Sequence, residues 1–392
     1  MKSAVVAVLV VGCGLSTAVA TGHAQSVAAN LSALLTEQTP PPPGYVRDRA
    51  AAEATFGTVA GLFTLELTSV PVASSSGGFV YRFSRTLGTV ERSSDSFGPF
   101  FTERTLRNGR GHVSLGVTYQ FAEFTTLQGA DLTAGTFPTN AARFVNQLQP
   151  FSVDTLRLEL DAQTLTTFVS YGVSDRLDVG VVVPITRLHY SGRRVNTFQG
   201  ASTLQASGAG SASGLGDVLV NARYTLTGDT VSGIAIGSDW RLQTGRQEDL
   251  LGTDEAAWRL LGMASWERAP FAADVNGGFS LGGVTREVFW SGAVTVAATP
   301  TVSLVGELMG RRLSDLTHVA DVYQPHPVLE GIETMRWLPT EGGLHITYVA
   351  TGAKINIYGR WLLKASLLTR LTDTGLRAKF TPSIALDYAR EF

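Results

Sequence analysis

Six histidines, one cysteine and a set of acidic and basic residues that recur two positions apart are the groups in this 392-residue sequence that could do chemistry. Five of the histidines, His112, His189, His318, His326 and His345, are scattered without the spacing of a metal site. No nucleophile elbow stands near a strand end. His189 is the one candidate for a rim base in a lipid-cleaving barrel, set against the plainer reading of an interface histidine. The glycine-rich stretch Gly208 to Gly216 has no strand before it and no helix after it, so it reads as loop and not as a phosphate cradle. Neither a cofactor nor a metal is expected, and the chain does not read as an enzyme.

The two-apart residues suggest a different kind of chemistry. Arg157, Glu159, Asp161, Asp217, Asn221, Arg223, Asp239, Arg241, Asp274, Asn276, Glu307, Arg311, Asn356, Arg360 and Lys364 fall on one parity of stretches whose other parity is apolar. On a wall of strands they would line a polar, water-compatible path, with signs too mixed for strong ion selectivity. The alternative is that they pair across strands and hold the wall's shape.

The elements that would position them are strands. In His112 to Phe121 the outward set is Val113, Leu115, Val117, Tyr119 and Phe121, and the inward set is Ser114, Gly116, Thr118 and Gln120. Asp154 to Val173 alternates likewise but changes phase, which predicts a bulge near Gln163. Further strands are expected at Leu177–Ile185, Val218–Leu226, Ile234–Leu242, Trp258–Trp266, Phe271–Leu281, Val288–Val296, Val302–Leu308, Leu344–Tyr348, Ile355–Leu371 and Phe380–Phe392. Their connections alternate between short turns, such as Ser174-Asp175-Arg176, and long loops, such as Ser191 to Gly214. That rhythm predicts an all-β fold, a transmembrane antiparallel up-and-down barrel of twelve strands; Leu62–Val70 and Phe79–Phe83 would raise the count to fourteen.

Aromatic placement agrees. Trp258 and Trp266 share a parity and, at about 3.3 Å per residue and a tilt near 40°, stand about 20 Å apart along a membrane normal. The final strand alternates Ile384, Leu386, Tyr388 and Arg390 with Ala385, Asp387 and Ala389 and ends on Phe392, so Trp258, Trp266, Tyr388 and Phe392 are the expected membrane-interface aromatics. Arg390 is tolerable on the lipid parity because a long side chain near the interface reaches water.

At the other end Lys2, the apolar run Ala4 to Leu15 and the small residues up to Ala24 read as a cleavable export signal, with Ala20 as the alternative cleavage point. The only cysteine, Cys13, lies inside that segment, in a faint likeness to a lipoprotein box. A mature chain starting at Gln25 would therefore have no thiol. Residues 25–60 read as a short helix, with Val27, Leu31, Leu34 and Leu35 at helical spacing, followed by a proline spacer, Pro40 to Pro43. This segment would either plug the barrel or hang in the periplasm, and residues 61–392 would form the barrel. A net charge of −2, or −3 without Lys2, gives no reason to expect nucleic acid as a partner.

VSYGVSDRLDVGVVVPITR (Val169 to Arg187), SGLGDVLVNARYTLTG (Ser213 to Gly228) and the ending GLRAKFTPSIALDYAREF resemble the phenol meta-pathway family of outer-membrane proteins. The shared features are Tyr171, Gly172, Asp175 and Arg176, a strand ending near Pro184, a strand start at Gly214, Gly216 and Asp217, and the terminal Phe392. The likeness spans Gly111 to Phe392; Gly61 to Arg110, including Ser74 to Gly78 and Phe97-Gly98-Pro99-Phe100, departs from any such pattern. It implies a bacterial outer-membrane barrel that passes small, aromatic or hydrophobic compounds by diffusion. Its partners would be outer-membrane lipid, the barrel-insertion machinery that reads Phe392, and the solute. Against that stand a closed, filled barrel acting as a structural protein or surface receptor, and the lipid hydrolase.

Overall fold

In a computed structural model of the chain, the described residues are 26–40, 45–68, 74, 78, 81–84, 89–92, 94–228 and 232–391. The export signal, Cys13, Pro41 to Pro43 and Phe392 lie outside them. Twelve antiparallel strands close into a barrel. In chain order they are β1 (His112–Leu127), β2 (Ser152–Gly172), β3 (Leu177–Phe198), β4 (Leu219–Gly228), β5 (Gly233–Arg241) and β6 (Ala257–Arg268). The wall continues with β7 (Phe271–Gly282), β8 (Glu287–Thr299), β9 (Val302–Pro325), β10 (Ile332–Tyr358), β11 (Trp361–Arg370) and β12 (Thr381–Glu391). Each strand pairs with the next, and β12 pairs with β1 from Ser383↔Gln120 to Glu391↔His112, so the wall closes on itself.

The twelve-strand count holds, with local differences, among them an unexpected short strand, Phe137–Phe144, that pairs with β2 and β10 beyond the ends of β1 and β11. Ile355 belongs to β10, because a two-residue turn at Gly359-Arg360, with Gly359 at φ +52°, interrupts a run that alternates smoothly on both sides. Ala201–Leu215, expected as loop, is a strand paired with β3; it needs no apolar face because it stands beyond the membrane band. The outer parts of β9 and β10 likewise form a hairpin arm reaching Pro325 and Ile332.

The phase change in β2 is not a bulge. Its register with β1 and β3 is unbroken through Gln163. Leu165, Val169 and Tyr171 are exposed on the outside, whereas Leu156, Leu158 and Leu160 point inward and are buried. The sidedness inverts because the strand leaves the membrane: above it, water lies outside and an apolar core lies inside.

That core comes from the chain preceding β1. Helix α1 (Val27–Thr36), capped by Ser26, buries Val27, Leu31, Leu34 and Leu35, as their spacing predicts. Helix α2 (Arg49–Thr68) buries Val59, Leu62, Phe63 and Leu65 in the same cluster, against Leu156, Leu158, Leu188, Leu344 and Ile346 of the wall. The expected strand at Leu62–Val70 is thus the last part of a helix through Thr68, started by Asp48, whose carboxylate accepts the Ala51 amide at 3.0 Å. Among the described residues Tyr81–Ser84 pairs only with Thr89–Arg92, in a sheet separate from the barrel. The wall therefore begins at His112 rather than Gly61. No helix among the described residues is long and apolar enough to cross a membrane; the strands present the apolar band instead.

Candidate functional site

Below the two helices, at the short-turn end of the barrel, residues 94–111 run through the lumen as a strap before joining β1. It holds no regular secondary structure, so its backbone donors and acceptors must find partners on the wall. Ser96 and Asp95 donate amides to Glu267 of β6, and Phe97 donates to Ser303 of β9. Glu307 of β9 accepts the amides of Phe100, Phe101 and Thr102, the last at 2.8 Å. Three successive N–H groups converging on one carboxylate make an anion nest, with the barrel supplying the anion. Lys354 of β10 donates to the carbonyls of Phe97 and Pro99. Farther along, Glu103 accepts from and donates to the Asn276 amide through its backbone, and Asn108 joins Asp178 of β3, Ser170 of β2 and Ser114 of β1. At its end Gly111 donates to the Gly172 carbonyl at 2.9 Å.

Helix α2 is held by ion pairs at both ends. Asp48 takes Arg336 at 3.0 Å and the Thr334 hydroxyl, while Glu66 lies 2.8 Å from Arg370 and 3.7 Å from Arg311 and accepts from Tyr348. Between them Thr55 and Thr58 bond the backbone N–H and C=O of Trp337, covering the edge that β10 shows above the shorter β11.

The expected lumen residues divide into groups. Asn221, Arg223, Asp239, Asp274, Asn276, Glu307 and Lys364 are buried on the inside, and Arg241 and Arg311 are inside and part-buried. Lys364 pairs with Asp387 at 2.8 Å, and Asp274 accepts from Ser265 at 2.6 Å. Asp217 stands in the connection to β4, where it accepts the amides of Gly245 and Thr253. Asn356 is part-buried near the Gly359 turn, and Arg360 is exposed in that turn. Arg157 and Glu159 are exposed outside and bond each other at 2.8 Å; Asp161 shares their parity, on the part of β2 whose sidedness is inverted.

Trp266 is exposed, and Trp258 and Tyr388 are part-exposed on the outer face, Tyr388 against Trp361 with ring centres 4.7 Å apart. His189 also faces outward, opposite Ser211. Sequence reasoning missed Asp48, Glu66, Glu103, Lys354 and Arg370. Lys354 has the inward parity of Asn356 and was hidden only because the expected strand began at Ile355; the others lie outside alternating runs or at a strand's last position.

Between the end of α2, the strap and the wall from β4 to β9 lies a partly open cavity of about 190 Å³. Its apolar lining is Leu65, Phe101, Leu219, Leu261, Phe289 and Met309, interleaved with Arg223, Arg241, Arg259 and Arg311 and with Glu103, Asp239 and Glu287. It reaches the β7–β8 connection, Gly283 to Arg286, which is the shortest on the long-loop end.

No protein-family model matches the chain, and no curated protein does. Solved barrels align with most of it at low identity. An outer-membrane channel from Pseudomonas putida F1 is 16% identical over 72% of this chain and 96% of its own, with a TM-score of 0.44. The translocator domain of the autotransporter NalP from Neisseria meningitidis is 10% identical over 73% and 90%, at 0.38, and the toluene transporter TodX of P. putida is 10% identical over 72% and 90%, at 0.34. The barrel assignment stands on this chain's own strand pairing, and its outer-membrane type on the apolar band.

Proposed function

We propose that this chain is a bacterial outer-membrane barrel that passes small solutes by diffusion, without catalysis, when the strap shifts from its resting place in the lumen. Export by the leader, insertion through the C-terminal strand and contact with outer-membrane lipid belong to the same proposal. The observation that carries it is the character of the strap's seat. Residues 94–111 are held mainly by hydrogen bonds to wall side chains, which water can replace, whereas α1 and α2 sit in an apolar cluster. The class of solute proposed is small aromatic or hydrophobic compounds, in keeping with the family resemblance and with a cavity of about 190 Å³, larger than the roughly 150 Å³ that accommodates benzene.

The apolar cluster in the outer half favours a second reading, a filled barrel with a structural role. Locking the strap separates the two. Asn108 and Ser170 have side chains 2.9 Å apart, and the mature chain is expected to have no cysteine, so Asn108→Cys with Ser170→Cys can be joined by a short reducible crosslink. Solute influx into proteoliposomes that stops on crosslinking and returns on reduction supports the channel. Influx indifferent to the crosslink rejects strap movement, and no influx in any form favours the filled barrel.

A further inference from the structure

Four arginines face three carboxylates across the lumenal cavity, and the surplus has a location. Arg223 lies against Asp239 and is 3.5 Å from Glu103. Arg311 is 3.8 Å from Glu287 and 3.7 Å from Glu66. Arg241 donates only to the Thr68 carbonyl, at 3.2 Å, and has no carboxylate within ion-pair distance among the described residues. Arg259 is part-buried, with its guanidinium 3.6 Å over the Phe289 ring; it donates no hydrogen bond among the described residues, and its Nε is buried without a partner. The accessible surface it retains faces the cavity. Because Arg259 is opposite Asp239 and Arg241 opposite Ala257, the two guanidiniums come from neighbouring strands, one inward position apart.

A buried guanidinium Nε without an acceptor is costly, and the planar fork suits a carboxylate. Leu65, Leu261, Phe289 and Met309 line the same cavity beside the arginines, so the group that carries the carboxylate should be apolar, and the volume limits it to about one ring. We infer that the cavity is a binding site for a small organic monoanion, an apolar body bearing one carboxylate that Arg259 and Arg241 hold together. This rests on the solute-passing reading and narrows its substrate class: the neutral aromatic would enter the same space without satisfying either arginine.

The test is calorimetric titration of the detergent-solubilised barrel with benzoate and with benzyl alcohol, in the native protein, Arg259→Gln and Arg241→Gln, each checked for heat-modifiable migration. Saturable benzoate binding, about tenfold or more tighter than benzyl alcohol and weakened about tenfold or more by Arg259→Gln, is expected. Absence of benzoate binding, equal affinity for the two probes, or benzoate affinity unchanged in the folded variants overturns the site. If Arg259→Gln does not fold, the two-probe comparison and Arg241→Gln decide. Influx of benzyl alcohol and of benzoate into proteoliposomes, measured separately, distinguishes the two failures: influx without benzoate binding removes the anion site alone, whereas no influx of either compound removes the transport reading.

Discussion

Glu307 and Lys354 grip the same short piece of the strap from opposite chemical sides: the carboxylate collects the amide hydrogens of Phe100, Phe101 and Thr102, and the ammonium donates to the carbonyls of Phe97 and Pro99. The backbone between them is thereby satisfied without forming a helix or a strand. Replacing Glu307 by Gln removes the charge and leaves one acceptor oxygen for three donors. Charge-assisted hydrogen bonds contribute about 1.5–3 kcal/mol each, so amide exchange at residues 97–105 should accelerate by at least tenfold in Glu307→Gln while the β1–β12 amides stay protected. Mass-spectrometric exchange on the refolded barrel reads both.

Gly172 and Gly109 meet where the strap joins the wall. A Cβ at residue 172 would stand 1.9 Å from the Gly109 carbonyl oxygen, a distance at which the backbone must move. Gly172→Ala should displace the strap's last residues and expose the buried Arg107 to trypsin, with cleavage there at least tenfold faster than in the native barrel. Unchanged cleavage in a correctly migrating variant would show that the strap's end adapts.

The Glu66–Arg370 pair is the inner anchor of α2, and both side chains are buried. Removing one partner leaves the other charge uncompensated, at a cost of about 3–5 kcal/mol. Glu66→Ala should therefore lower the thermal transition of the folded barrel more than Glu53→Ala, whose partner Arg49 is exposed on the surface. Equal transitions would assign the hold on α2 to its apolar face alone.

Arg286 and Asp315 clasp the short β7–β8 connection to the outer part of β9, outside the membrane band. The hydrogen bonds that Arg286 donates hold the Asp315 carboxyl at about 2, below its ordinary 3.8. A depressed carboxylate pKa stabilises the clasp fully above the unfolded value and is lost as pH falls through the folded one. The clasp should persist at pH 5 and open between about pH 4 and 2, followed by the Asp315 side-chain resonance. Asp315→Asn should remove that titration.

How much of this was legible in the residues depends on which solvent each side met. Strands in the band alternate in the expected way, as in β1 and β12, because lipid lies on one side and a polar lumen on the other. Beyond the band the same alternation reverses, so Arg157 and Glu159 were assigned to the wrong side while Leu156 and Leu158 went unrecognised as core. Helix α2 was missed because its inward face mixes Ala51, Thr55, Val59 and Glu66, polar groups that the wall satisfies and that blur an apolar stripe. Asp48 followed by the alanine-rich run from Ala50 was the available signal. The strap has no periodicity to read; its hydrogen-bond and ion-pair partners among the described residues come from eight barrel strands, and only the closed wall brings them together.

The chain passes from α1 and α2 in the outer half, through the strap at the short-turn end, directly into β1, whose far edge is sealed by β12. The last strand must therefore find the first with α1 and α2 already inside the wall, or else two helices, each about 10 Å across, must be threaded into a finished cylinder. By the first route circularisation and loading would be one event, with α1 and α2 as the mandrel around which the trailing strand is wound.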